Sequence, residues 1–249
     1  MAWQAKRAIV VGASSGIGEA VAKQLAKSGA EVALVARRKE ELERVASAIR
    51  AAGGRARVYL HDAARSAEAA PLLDQISAEL GGLHCLVYAS GAMPEVGEGE
   101  FDFEKDRQMI EVNLLGAIAW CGPAAVKFAA QRSGTVIGIS SIAGERGRRG
   151  NPGYCTSKGA FTIWLESMRN RYAREGVNVV TIKPGFVDTA MTKGKPGLFW
   201  LVSADDAARM SLQLAAKESS ASGFVPGRWA LVAFVVRNIP SFIFRKMNF

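Results

Sequence analysis

Short apolar, β-branched runs alternate with longer stretches of helical spacing along this chain, and that alternation constrains its fold more than any other feature. Strands are expected at Ala8–Val11, Val32–Ala36, Arg57–Leu60, His84–Tyr88, Thr135–Ser140 and Val177–Lys183. Helices are expected at Gly16–Ser28, Lys39–Ala52, Ser66–Leu80, Phe103–Gln131 (with a break near Gly122-Pro123) and Tyr154–Glu175. The strands read as continuous apolar runs, and the repeated strand–helix–strand units imply right-handed crossovers. The fold class is therefore α/β, a doubly wound parallel sheet of about seven strands with helices on both faces. A length of 249 residues suits one such domain. Residues 1–223 are read as that domain and 224–249 as a C-terminal apolar and basic appendage.

Composition enters mainly by exclusion. With 49% apolar and 22% charged residues, the chain as a whole is neither disordered, collagenous nor a coiled coil. A net charge of +9 favours anionic partners without choosing among phosphates, nucleic acid and an acidic membrane face. No basic helix or aromatic RNA-binding motif is present, so no nucleic-acid partner is expected. Cys85, Cys121 and Cys155 form no CxxC pair, and there are only two histidines. Neither a disulfide scaffold nor a metal site is expected, and a cytoplasmic, reducing location is the simple reading. Met1–Arg7 runs straight into Ala8-Ile9-Val10-Val11, so no signal peptide is expected. No stretch reaches the roughly 18 to 20 uncharged apolar residues of a membrane-spanning helix.

The first strand ends in Val11-Gly12-Ala13-Ser14-Ser15-Gly16-Ile17-Gly18, and a helix follows at once. Glycines after a strand let backbone N–H groups approach a pyrophosphate, and the positive end of the helix faces that anion. The second strand ends at Ala36-Arg37-Arg38, with no acidic residue to accept bonds from a ribose 2′-hydroxyl. Arg37 and Arg38 can pair with a 2′-phosphate, so NADP(H) is expected in preference to NAD(H). Asp62, after the third strand, faces the adenine edge or caps a helix.

Tyr154 and Lys158 stand four apart at the start of a long helical segment and so lie on one face. A nearby ammonium lowers the pKa of a phenol, which can then exchange a proton with a carbonyl oxygen. Ser141, at the end of the fifth strand, supplies a hydroxyl to hold that oxygen.

With these residues the chain resembles the short-chain dehydrogenase/reductase family, up to about residue 190. Gly12, Gly16 and Gly18 match its cofactor turn, and Asn113, Ser141, Tyr154 and Lys158 match its catalytic tetrad. The resemblance implies a Rossmann-type fold and hydride transfer between a nicotinamide and a ketone or secondary alcohol. It implies that Asn113 holds a water in the proton relay and that Lys158 also grips the nicotinamide ribose. Pro184, Gly185, Val187 and Thr189 match the segment that meets the nicotinamide, and Ala89 and Gly91 follow the fourth strand beside the cofactor. Where the family has Asn-Asn-Ala-Gly, the chain has Tyr88-Ala89-Ser90-Gly91, and Val11 replaces the usual threonine. Family members commonly form dimers or tetramers through two long helices, here Phe103–Gln131 and Tyr154–Glu175.

Three further segments bear on the substrate. Arg146, Arg148 and Arg149 lie between Ser141 and Tyr154, where they either meet an anionic substrate or belong to a solvated loop. Residues 191–202 carry Phe199 and Trp200, in a hydrophobic lid or as core packing. Residues 224–249 hold many large apolar side chains among Arg228, Arg237, Arg245 and Lys246, and must be covered by the domain, by another subunit or by lipid at the inner membrane face. The arginine loop and this ending are similar to a branch that includes 2-keto reductases of decaprenylphosphoryl pentofuranosid-2-ulose. That likeness implies a lipid-phosphate-linked ketosugar. A reductase of small soluble ketones or acyl-carrier thioesters, and a non-catalytic NADP(H)-binding sensor, stay open beside it.

Overall fold

The computed structural model describes residues 5–195, 197–217 and 222–247. Met1–Gln4, position 196 of the 191–202 segment and the last two residues of the C-terminal segment lie outside the described residues.

Seven strands form one parallel sheet: β1 (Arg7–Val11), β2 (Glu31–Ala36), β3 (Arg55–Leu60), β4 (Cys85–Tyr88), β5 (Gly134–Ile139), β6 (Val177–Pro184) and, at its far edge, Ser222–Val225. Two short strands, β7 (Val187–Asp188) and β8 (Val202–Ser203), pair with each other beside the sheet, so the edge strand Ser222–Val225 is β9. The order is β3-β2-β1-β4-β5-β6-β9, and it reverses between β1 and β4, where ligands bind in open α/β sheets.

Alternate residues of the strands serve two cores. Val10, Val32, Leu34 and Ile182 pack against α1 (Gly16–Lys27), α2 (Lys39–Ala51) and α7 (Ala204–Ala215). Ile9, Val35, Leu86 and Val179 pack against α3 (Ser66–Leu80), α5 (Gly116–Ala130) and α6 (Pro152–Arg171). Burial on both faces is why these strands read as unbroken apolar runs.

Two boundaries differ from the sequence reading. The helical run expected over Phe103–Gln131 does not break near Gly122-Pro123. α4 (Phe103–Ile110) passes through a π-helical turn at Glu111–Leu115 into α5, and Pro123 sits inside α5. Burial of Trp120, Cys121, Ala124 and Phe128 carries the helix past the missing N–H. Phe103–Ala130 is also long and apolar enough to cross a membrane by length and composition, which the sequence reading did not expect; half of its most apolar window is buried in the protein. The division at 223/224 runs through β9, whose Phe224 and Val225 pair with Lys183 and Pro184 of β6. The appendage therefore begins as sheet. It continues as α8 (Trp229–Asn238) and α9 (Ser241–Phe244).

Candidate active site

A cleft of about 950 Å³ opens along the C-terminal ends of β1, β2, β4, β5 and β6. At one end, the turn after β1 is held by backbone. Gly12 has φ +89°, and a methyl group on it would fall 2.5 Å from Ser90 N. Gly12, Ser14, Ser15, Gly16, Ile17 and Gly18 all line the cleft, and the N-terminus of α1 opens onto it. Arg38 reaches back over the turn and donates to Ser14 Oγ (2.8 Å) and Ser15 Oγ (2.7 Å). Arg37 points the other way, its guanidinium 3.8 Å from the Asp62 carboxylate. Asp62 lines the cleft and accepts from Ala64 N (3.1 Å), so it caps the turn before α3 rather than the helix itself, whose cap is Arg65. Ala89 and Gly91 line the middle of the cleft. Pro184, Gly185, Val187 and Thr189 close it from the β6 side, and the Thr189 methyl lies near the Cα of Gly16. These residues fit a dinucleotide: glycine backbone at a helix N-terminus, hydroxyls beside a guanidinium, and a long cleft leading away.

Ser141, Tyr154 and Lys158 converge on that cleft. Asn151 caps α6, its Oδ1 accepting from Tyr154 N (2.9 Å), and Pro152 supplies the preorganised first turn. The phenol therefore projects from a fixed helix start. Burial raises the Tyr154 pKa above its ordinary value, while the hydrogen bond with Ser141 and the charge of Arg148 pull it back. Lys158 is buried, donates to Ile139 O (3.0 Å), and is pushed down to about 8 by burial. Its Nζ lies 5.9 Å from the centroid of the Tyr154 ring.

Asn113 is fully buried behind this group and does not line the cleft. It sits in the π-helical turn, a distortion that re-aims a side chain inside an otherwise regular helix. Its Oδ1 accepts from Ala92 N (2.7 Å), and its Nδ2 donates to Ala92 O (2.9 Å) and Ser157 Oγ (3.0 Å). Tyr88 donates to Val112 O (2.5 Å). Together Tyr88 and Asn113 brace the end of β4, where the family's asparagines are missing. Tyr88, Asn151 and Ser157 do not stand out as site residues in the sequence. Only Asn151-Pro152, a cap followed by proline, carries a local signal.

The three arginines after β5 separate. Arg146 donates to Val236 O (2.7 Å) and Ile239 O (2.5 Å) at the end of α8, and its guanidinium lies 3.9 Å from the Phe244 ring centroid. Arg149 pairs with Glu98 at the surface. Arg148 alone lines the cleft. Beside them, the Glu145 carboxylate is buried between Lys183 (2.9 Å) and Arg237, a junction absent from the sequence reading. Phe199 and Trp200 do not line the cleft. They gather with Phe186 around Trp229, at ring-centroid distances of 5.0 to 5.7 Å. Leu231, Phe234, Val235, Phe242 and Ile243 stand exposed on α8 and α9. Among the described residues no group of three or more His, Cys, Asp or Glu side chains could hold a metal.

A family model described as short chain dehydrogenase matches residues 6–196. A cis-4-hydroxycyclohexanecarboxylate dehydrogenase of Sinomonas cyclohexanicum is 36% identical over 191 residues, 76% of either chain. Among solved structures, a short-chain type dehydrogenase/reductase from Mycobacterium marinum superposes with a TM-score of 0.79 at 29% identity, covering 87% of this chain and 92% of its own. A short chain dehydrogenase from Burkholderia cenocepacia J2315, in complex with NADP, gives a TM-score of 0.79 at 26% identity, covering 88% and 95%. The cleft, the convergence of Ser141, Tyr154 and Lys158, and these likenesses agree: the chain belongs to the short-chain dehydrogenase family and is an oxidoreductase acting on carbonyl and hydroxyl groups.

Proposed function

We propose that this chain is an NADPH-dependent carbonyl reductase. The observation that carries the reading is the convergence of the Tyr154 phenol, the Ser141 hydroxyl and the Lys158 ammonium on one cleft whose far end is built for phosphate. A bound nicotinamide supplies the hydride. Ser141 holds the carbonyl oxygen, and Tyr154 donates the proton to it. A phenol kept above its ordinary pKa by burial is protonated at neutral pH, as a donor must be. Lys158 binds the ribose and offers its charge to the phenolate once the proton has left. Asn113, through Ala92 and Ser157, fixes the floor on which these groups stand.

The preference for NADP(H) rests on Arg38, which with Ser14 and Ser15 forms a cluster of donors suited to a 2′-phosphate. The Burkholderia cenocepacia relative is described in complex with NADP. Arg37 is drawn toward Asp62, which makes it the lesser contact. Ala89, Gly91, Pro184, Gly185, Val187 and Thr189 complete the cofactor's walls.

For the substrate, a lipid-phosphate-linked ketosugar is favoured by the bare apolar face of α8 and α9 beside Arg228, Arg237, Arg245 and Lys246. That face would rest on the inner surface of the membrane, and the enzyme would be peripheral there. A small soluble ketone is the second reading, favoured by the grip of Arg146 and Glu145 on the same segment, which gives it a structural role. Assembly as a homodimer or homotetramer follows the family habit.

The test follows NADPH oxidation against water-soluble ketones and against detergent-dispersed, polyprenyl-phosphate-linked ketosugars. Turnover of the second set alone is expected for the lipid reading; turnover of the first alone rejects it and leaves the reductase. Tyr154→Phe is expected to lower kcat by about 10²- to 10⁴-fold with NADPH binding retained. A mutant that keeps full rate removes Tyr154 from the chemistry.

A further inference from the structure

Of the three arginines that leave β5 together, the fold engages two. Arg146 is taken up by the carbonyls at the end of α8 and Arg149 by Glu98. Arg148 lines the cleft with Asn151 and Tyr154, and its positive charge acts on the Tyr154 phenol. Its Nε is shielded from solvent and meets no acceptor, and among the described residues no carboxylate pairs with it. Native proteins rarely leave a shielded donor of this kind unmatched, and a guanidinium is shaped to receive two oxygens of one anion. The surrounding charge does not supply that anion. Glu100 lines the same cleft but is held by Lys105 at 2.5 Å, and Glu95 stands exposed at the rim, while Lys195 adds a further cation.

We infer that Arg148 is the anchor for an anionic group on the substrate, a carboxylate or a phosphate, within one side chain's reach of the carbonyl that Tyr154 protonates. The inference rests on the carbonyl-reductase reading for the identity of that carbonyl, and on the geometry of Arg148 for the anion. It narrows the substrate to ketones bearing an oxyanion, and it gives each arginine of the loop a different role. Arg146 fastens the C-terminal segment, Arg149 meets solvent, and Arg148 selects.

The decisive experiment measures binding rather than turnover. The NADPH complex of the full chain is titrated calorimetrically with cyclohexanecarboxylate, with its neutral isostere cyclohexanecarboxamide, and with methyl phosphate. At least one anion is expected to bind about 10- to 100-fold more tightly than the carboxamide, the range of a charged hydrogen-bonded contact. Arg148→Gln is expected to remove that preference while leaving carboxamide affinity unchanged. Tighter binding of methyl phosphate names a phosphate ester as the source of the anion; tighter binding of the carboxylate names a carboxylic acid. Equal binding of charged and neutral ligands, no binding of either anion, or an anion preference that survives in Arg148→Gln overturns the proposal. So does a crystal structure of the wild-type complex with the anion on any other cation, a readout that needs no variant to fold. An enzyme that binds the anion through Arg148 yet oxidises no NADPH with any ketone breaks the reductase reading and leaves this one standing.

Discussion

Two glycines line the cleft, one after β1 and one after β6, and each is pressed by a neighbour. A Cβ on Gly12 would lie 2.5 Å from the backbone nitrogen of Ser90, and φ there is +89°. A Cβ on Gly185 would overlap the indole of Trp229, with no unusual φ. Backbone meets backbone at the first, so the cofactor turn has one shape. At the second, a side chain delivered by α8 meets backbone, and that side chain is one of four rings in a cluster whose Phe199 and Trp200 are half in solvent. The wall after β1 is fixed by main chain, whereas the wall after β6 is backed by side chains.

Substitution at the two glycines tests this difference directly, and has the largest expected effect. Gly12→Ala incurs roughly 1–2 kcal/mol for the left-handed backbone and, in addition, a clash that no rotamer relieves. A total of about 4 kcal/mol is expected, lowering Tm by about 10 °C and abolishing NADPH binding. Gly185→Ala is expected to cost about 2 kcal/mol, an overpacking penalty eased by rotation of Trp229, with NADPH binding weakened less than in Gly12→Ala. Thermal melts with and without NADPH measure both. Equal losses at the two positions would remove the distinction between the two walls.

The same distinction governs what could be read from the sequence. The glycine turn, the strand runs and the Tyr154–Lys158 spacing are local: each is written within a few neighbouring residues by φ requirements, burial period or helical pitch. Six of the seven strands of the main sheet are legible for that reason. β9 is not, because Ser222–Val225 carries little apolar signal and owes its place to pairing with β6. Glu145 joins Lys183 and Arg237 across 38 and 92 residues of chain, and Arg146 joins Ile239 across 93, so no local pattern announces either contact. The misplaced helix break is the converse case. Gly122-Pro123 has a local signal for interruption, but packing of α5 overrides it, and the actual irregularity at Glu111–Leu115 serves Asn113.

The ion pairs offer a second test. Glu145 is shielded from solvent and its partner Lys183 nearly so, whereas both members of the Arg149–Glu98 pair are exposed. Glu145→Gln leaves Lys183 charged and buried without a counter-ion, and is expected to destabilise by about 3 kcal/mol, less than a fully buried triad because Arg237 is half in solvent. Arg149→Gln is expected to stay within about 0.5 kcal/mol. Urea denaturation at low and at high salt separates the two, since the exposed pair is screened far more than the buried one. A Glu145→Gln protein as stable as wild type would mean that the C-terminal segment is held by its rings and by Arg146 alone.

Lys158 gives a smaller stability effect than Gly12 or Glu145, and the most informative sign. Burial lowers its pKa to about 8, from 10.5 for a free lysine. Below pH 8 the folded and unfolded chains both carry the charge, and the folded state bears the full cost of burying it. Between about 8 and 10.5 the folded chain gives up its proton while the unfolded chain keeps it. The unfolded state then binds more protons, so this group makes stability rise with pH across that window. Above it both are neutral and the cost is gone. The shift corresponds to at most about 3 kcal/mol, and Lys158→Met also loses the bond to Ile139 O, worth about 1 kcal/mol. The variant is therefore expected to be about 2 kcal/mol more stable than wild type at pH 7, with the gain shrinking steadily from pH 8 upward, while turnover collapses. Paired urea titrations from pH 7 to 10 measure the difference with all other groups held in common. A variant less stable than wild type at pH 7 would mean that Lys158 is solvated in the native state, and that the cleft's rigid wall does not extend to its charge.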